Sequence, residues 1–139
     1  MADLFYDLGY AFFEKDQVDI AYRYLLQAHE WAVKSNNRKV LAHTLYHFGL
    51  YELVKSDYVK TIEYFESALD LAKEMNLRRL KRDIYKSFVT TYERKGQLQK
   101  VVEFQNRYME LKDSIFNEQL ASNLKEIQLD AQRKQSEAI

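Results

Sequence analysis

The sequence predicts an all-α protein made of three stacked helix-turn-helix repeats. Three observations predict it. Proline is absent and only three glycines, Gly9, Gly49 and Gly96, interrupt 139 residues, so the two strongest helix breakers are nearly missing. Apolar residues recur at helical spacing along most of the chain. The pattern then repeats itself every 40 residues, bringing Leu8, Phe48 and Phe88 into register, with Tyr24, Tyr64 and Phe104, and Trp31, Leu71 and Leu111.

The elements follow in order. Leu4, Phe5, Leu8 and Phe12 form one stripe and predict a first helix near 3–14. After the turn Lys15-Asp16-Gln17, the stripe Ala21, Leu25, Ala28 and Ala32 predicts a second helix near 17–34. Ser35-Asn36-Asn37 closes the unit, because Asn tolerates the left-handed backbone that ends helices. The second unit reads as helices near 39–54 and 57–75, with Lys55-Ser56-Asp57 between them and Met75-Asn76-Leu77 after them. The third reads as helices near 78–94 and 98–112 around Lys95-Gly96-Gln97, so the repeats span about 1–36, 37–76 and 77–112. Gly9 and Gly49 mark places where the second helix approaches closely, with Ala21, Ala28 and Ala68 opposite.

Residues 113–139 predict a further helix over 113–136, separate from the preceding one or continuous with it, fraying from about Arg133. Ile115 and Phe116 are expected to cap the last hairpin. Beyond them Leu120, Leu124, Ile127 and Ala131 form a short heptad-like stripe, suited either to a cap or to helix packing and dimerisation.

Composition removes several function classes. Without cysteine there is no thiolate metal site, disulfide or thiol nucleophile. No apolar run approaches the ~20 residues of a membrane span, and the compartment stays open between cytoplasm and periplasm. Formal charge is zero overall but is distributed as −4 over residues 1–76, +6 over 77–112 and −2 over 113–139. The positive excess clusters at Arg78, Arg79, Lys81 and Arg82, read as a solvated helix start. Zero net charge disfavours nucleic acid as a partner. His43 and His47 have the i, i+4 spacing of two metal ligands on a helix, but Glu is missing at 44 and no third ligand stands out. No phosphate loop, nucleophile elbow or carboxylate pair appears. The expectation is a non-catalytic protein with no cofactor and no metal.

The positions Leu8-Gly9, Phe12, Ala21, Leu25 and Ala28, with Phe48-Gly49, Tyr58, Phe65 and Ala68, resemble the tetratricopeptide repeat signature. The third unit departs from it, with Val89 in place of Gly and Val101 and Tyr108 in place of Ala. The period of 40 exceeds the family's 34 and the repeat ends lack proline. The resemblance implies a right-handed α-solenoid whose first helices line a concave groove for a protein or peptide partner. Carried over position by position, the groove candidates are Asp3, Tyr6, Tyr10 and Phe13, then His43, Tyr46, His47 and Leu50. The third unit supplies Asp83, Lys86, Ser87 and Thr90. The family's chaperone-tail groove uses Lys, Asn and Arg, where this chain has Tyr6, Tyr10, His47, Asp83 and Ser87. A carboxylate clamp is therefore not expected. The run from Tyr108 to Gln119, followed by a polar helix, resembles the end of tetratricopeptide sensor regions in Bacteroidetes-type signalling proteins. That resemblance implies a sensory or regulatory module of a histidine kinase or transcriptional regulator.

Overall fold

A computed structural model describes residues 1–137 of the chain. Six helices follow one another: α1 (Ala2–Glu14), α2 (Val18–Lys34), α3 (Arg38–Val54), α4 (Tyr58–Glu74), α5 (Arg78–Lys95) and α6 (Leu98–Glu137). No strand occurs among the described residues. The helices pack most closely as α1 with α2, α3 with α4 and α5 with α6. Each hairpin then packs on the next through α2 and α3 or α4 and α5, and α3 also touches both α1 and α5.

The turns are more regular than the 40-residue period requires. A residue with positive φ stands at Asp16 (60°), Asn36 (52°), Ser56 (63°), Asn76 (52°) and Gly96 (73°), so the same turn recurs every 20 residues. After each, the next amide donates to a carbonyl five residues back. The distances are 3.0 Å for Gln17 to Phe12 and 2.9 Å for Asn37 to Ala32. Asp57 to Glu52, Leu77 to Ala72 and Gln97 to Tyr92 complete the set. This is the Schellman closure, which satisfies the last carbonyls of one helix while reversing the chain. Turns within a hairpin and turns between hairpins are therefore the same device. Asn37 and Asp57 also cap the following helix, accepting from the amides of Val40 and Lys60 at 3.2 Å.

The two helical glycines sit where close approach demands them. A Cβ on Gly9 would lie 2.8 Å from Leu25 Cδ2, and one on Gly49 would lie 2.4 Å from the Phe65 ring. Leu25 and Phe65 are fully buried, as are Ala21, Ala28 and Ala68. The third hairpin solves the same problem differently. Val89 fills the space a glycine leaves open elsewhere, and Gln105, one period after Phe65, stays exposed. Phe104 takes over the contact, stacking on Phe88 at 4.4 Å and on Tyr92 at 5.6 Å. The main core runs from Phe65, Ala68 and Ala72 through Leu80, Ile84 and Phe88 to Phe104.

Residues 98–112 and 113–136 form one continuous helix, unbroken to Glu137 and helical through Arg133, where fraying was expected. No glycine or proline interrupts the junction, and the inner face stays attached to α5. Arg78 pairs with Glu118 and donates to Ser114 Oγ at 2.7 Å, and Ile115 is half-buried. Phe116 does not cap the hairpin; it is 65% exposed. From Phe116 to Glu137 every residue is exposed, so α6 extends past the hairpins instead of folding over them. Leu120, Leu124 and Ile127 share one stripe with the exposed Val102, Met109 and Phe116 farther up the same helix.

Candidate functional site

The first helices of the three hairpins, α1, α3 and α5, bring their side chains together around His47. The rings of Tyr6, Tyr10, Phe13 and Tyr46 all meet the His47 ring nearly edge-on, with centroids 5.4, 5.5, 5.6 and 5.4 Å away. His47 is only 4% exposed. Its position follows from the helical spacing: His43, His47 and Leu50 share the α3 face between α1 and α5, as Tyr6, Tyr10 and Glu14 share one face of α1.

These side chains enclose an open-mouthed cavity of about 320 Å³. Helix α1 supplies Tyr6, Tyr10 and Glu14; α3 supplies His43, Tyr46, His47 and Leu50; α5 supplies Leu80 and Asp83. Of the twelve groove candidates, the structure brings Tyr6, Tyr10, His43, Tyr46, His47, Leu50 and Asp83 to this cavity, and Ser87 meets it through the Tyr46 hydroxyl. Phe13 stands behind it, against His47. Asp3 and Lys86 are exposed, and Thr90 is half-buried with its hydroxyl 3.5 Å from the Lys86 carbonyl; none of the three lines the cavity. Asp3 and Thr90 lie at the ends of the carried-over set, and Lys86, next to the Tyr46 partner Ser87, turns its side chain to solvent. Glu14 and Leu80 were missed by the sequence reading. Glu14 was recoverable as the i+4 neighbour of Tyr10, and Leu80 as the i−3 neighbour of Asp83.

Hydrogen bonds fix the site's protonation. His47 Nδ1–H donates to the His43 carbonyl at 3.1 Å, which leaves Nε2 as the ring's acceptor. The Tyr6 hydroxyl lies 3.4 Å from the same Nδ1. Burial pushes His47 down to about 4, against the weaker opposing effect of that backbone bond, so the ring is neutral at pH 7. His43 is also lowered, by burial first and the Lys39 charge second. Among the described residues no three His, Cys, Asp or Glu side chains gather in a group that could hold a metal ion.

The tyrosines do two jobs. The Tyr46 hydroxyl reaches Ser87 Oγ at 2.8 Å and the Asp83 carbonyl at 3.4 Å, tying α3 to α5, while its ring packs on Phe65. Burial raises it to about 12, tempered by the Ser87 bond. Tyr6 is raised as well, by burial and then by Tyr10, Tyr46, Asp7 and Asp83. Tyr10 is 47% exposed and stands at the cavity mouth.

The basic cluster divides rather than forming one face. Arg78 is spent on Glu118 and Ser114, and Arg82 pairs with Asp83 at 3.1 Å. Arg78 and Arg79 line a neighbouring cavity of about 370 Å³ with Lys39, on the other side of His43 and Leu80. No helix among the described residues is long and apolar enough to cross a membrane. No model of a known protein family matches this chain, and comparison with curated proteins finds no match.

Proposed function

We propose that this chain is a right-handed α-solenoid of the tetratricopeptide type acting as a non-catalytic protein-interaction scaffold. It holds a peptide or helix of a partner protein in the groove between α1, α3 and α5. The signalling resemblance of residues 108–119 makes it the sensory or regulatory module of a bacterial signal-transduction protein. One observation carries the docking reading: all three first helices converge on a single cavity walled by Tyr6, Tyr10, Tyr46 and two neutral histidines. Aromatic walls with a few polar groups are what peptide recognition uses, because tyrosine gives large contact area with few rotors to freeze. A display library of random dodecapeptides selected on the immobilised chain tests it. Enriched peptides should lose about tenfold or more in affinity to Tyr10→Ala/His43→Ala. Enriched peptides that bind this variant as tightly as the native chain would place docking elsewhere and sink the reading.

A second reading, a structural spacer or dimerisation module acting through the C-terminal helix, has its own observation. Most helix stability in proteins comes from packing an apolar face, yet the stripe on the free end of α6 is uncovered. Of the positions flanking the stripe, Ala121, Asn123 and Gln128 carry no charge and only Asp130 does, so a second copy could lie alongside with little repulsion. Sedimentation of Leu124→Lys/Ile127→Lys against the native chain decides it: a native dimer made monomeric supports self-association, and a native monomer removes it.

A further inference from the structure

The cavity around His47 has a charge character that specifies what enters it. Among its lining residues the only formal charges are carboxylates, Glu14 and Asp83. Glu14 makes no ion pair among the described residues, and Arg82 engages Asp83 only through Oδ1, leaving Oδ2 without an ion pair there. The remaining walls are three phenol rings, two imidazoles and the side chains of Leu50 and Leu80. Ring faces carry negative quadrupole potential, which attracts cations and repels anions. The free basic residues lie next door, where Lys39 and Arg79 line the adjoining cavity beyond His43 and Leu80.

We propose that the cavity takes the cationic side chain, arginine or lysine, of the docked peptide, with Tyr6, Tyr10 and Tyr46 as its walls and Glu14 and Asp83 as its counter-charges. This rests on the groove reading above and names the ligand class that reading leaves open. The assignment reverses the chaperone-tail groove of the resembled family, where cations receive a carboxylate. A cation entering here meets two carboxylates and three phenol rings, whereas a carboxylate would meet both acids with no cation lining the cavity. The neutral His47 ring adds an acceptor nitrogen and no repulsion, since Nδ1 holds the proton toward His43. The volume of about 320 Å³ is at the small end of ligand cavities and suits one long side chain rather than a folded segment. The positive rim at Lys39 and Arg79 confines the cation to the Tyr10 side of His43.

Nuclear magnetic resonance on the full chain tests this with defined probes: Nα-acetyl-arginine amide, Nα-acetyl-lysine amide and Nα-acetyl-glutamate amide. The basic probes should shift the ring resonances of His43, His47 and Tyr10 saturably, and the glutamate probe should not. Glu14→Gln/Asp83→Asn keeps side-chain volume and should weaken the basic probes by about tenfold. Unchanged ring-proton spectra of the unliganded variant show that the fold is retained. If that spectrum changes, the single Glu14→Gln variant, on the exposed last residue of α1, carries the test with a smaller expected loss. Equal response to the glutamate probe, or undiminished binding by the neutralised variants, overturns the cationic assignment while leaving peptide docking intact. Absence of any shift with the basic probes overturns it as well. Failure of the groove reading shows separately, in display peptides indifferent to Tyr10→Ala/His43→Ala.

Discussion

Replacing Gly49 by Ala tests the packing that places the site. The added methyl would sit 2.4 Å from Cδ1 and Cε1 of Phe65 and 3.3 Å from Tyr64 Cβ. Phe65 has no room to withdraw: it is fully buried, edge-on to Phe88 at 5.4 Å and tilted against Tyr46 at 5.6 Å. Overpacking a filled core costs about 1–3 kcal/mol, and a rigid ring at this separation belongs near the upper end. Alanine returns about 1 kcal/mol of helix propensity over glycine. The net expectation is a loss of about 2 kcal/mol. Urea unfolding followed by circular dichroism should show the midpoint falling by about 1 M at unchanged slope. Gly9→Ala provides the contrast. Its new methyl meets the buried Leu25 side chain at 2.8 Å and the Ala21 carbonyl at 3.3 Å, a milder overlap than a rigid ring at 2.4 Å, so the net loss should be smaller, about 1 kcal/mol. A Gly49→Ala protein as stable as the native chain, or one no worse than Gly9→Ala, would refute the reasoning.

Other expectations follow from the same contacts. With His47 lowered to about 4, the unfolded chain binds a proton below pH 6.5 that the folded chain refuses. Stability should be full above pH 6.5, fall between about 6.5 and 4, and lose roughly 3 kcal/mol over that window. The burial-lowered His43 acts in the same direction. The pH slope of urea stability in His47→Gln should be shallower than in the native chain; identical slopes would contradict the burial account. Thr44 is fully buried and its hydroxyl has no hydrogen-bond partner, so Thr44→Val should raise stability by about 1 kcal/mol in the same assay. Ser56 holds a left-handed conformation at φ 63° that a side chain disfavours, so Ser56→Gly should gain about 1 kcal/mol. A Ser56→Gly loss would mean that the serine itself stabilises the turn.

The repeat units were legible because their turns and close contacts depend on residue types that the sequence displays directly. Asn36, Asn76 and Gly96 announce left-handed turns, and Gly9 and Gly49 announce close helix approach. The half-period of 20 was hidden, because Asp16 and Ser56 adopt the same conformation without being residues that demand it. The path of α6 was hidden for a related reason. Apolar spacing continues in phase through 112, so whether the helix bends back depends on tertiary attachment, here Arg78 to Ser114 and Glu118. The α1 and α3 faces that line the cavity follow directly from helical periodicity. Asp3, Lys86 and Thr90 stand outside it, because periodicity gives the face of a helix but not the height at which neighbouring helices converge. Of the two cavity carboxylates, Asp83 was among the carried-over positions and Glu14 was not. Glu14 belongs to the site only because it stands one turn after Tyr10 beside α3.

The most direct measurement is a crystal structure of the chain bound to a display-selected peptide. The account predicts the peptide lying between α1 and α5, with one arginine or lysine side chain against Tyr6, Tyr10 and Tyr46 and within ion-pair distance of Glu14 or Asp83. A peptide seated along the α6 stripe, or one placing a carboxylate beside His47, would contradict it.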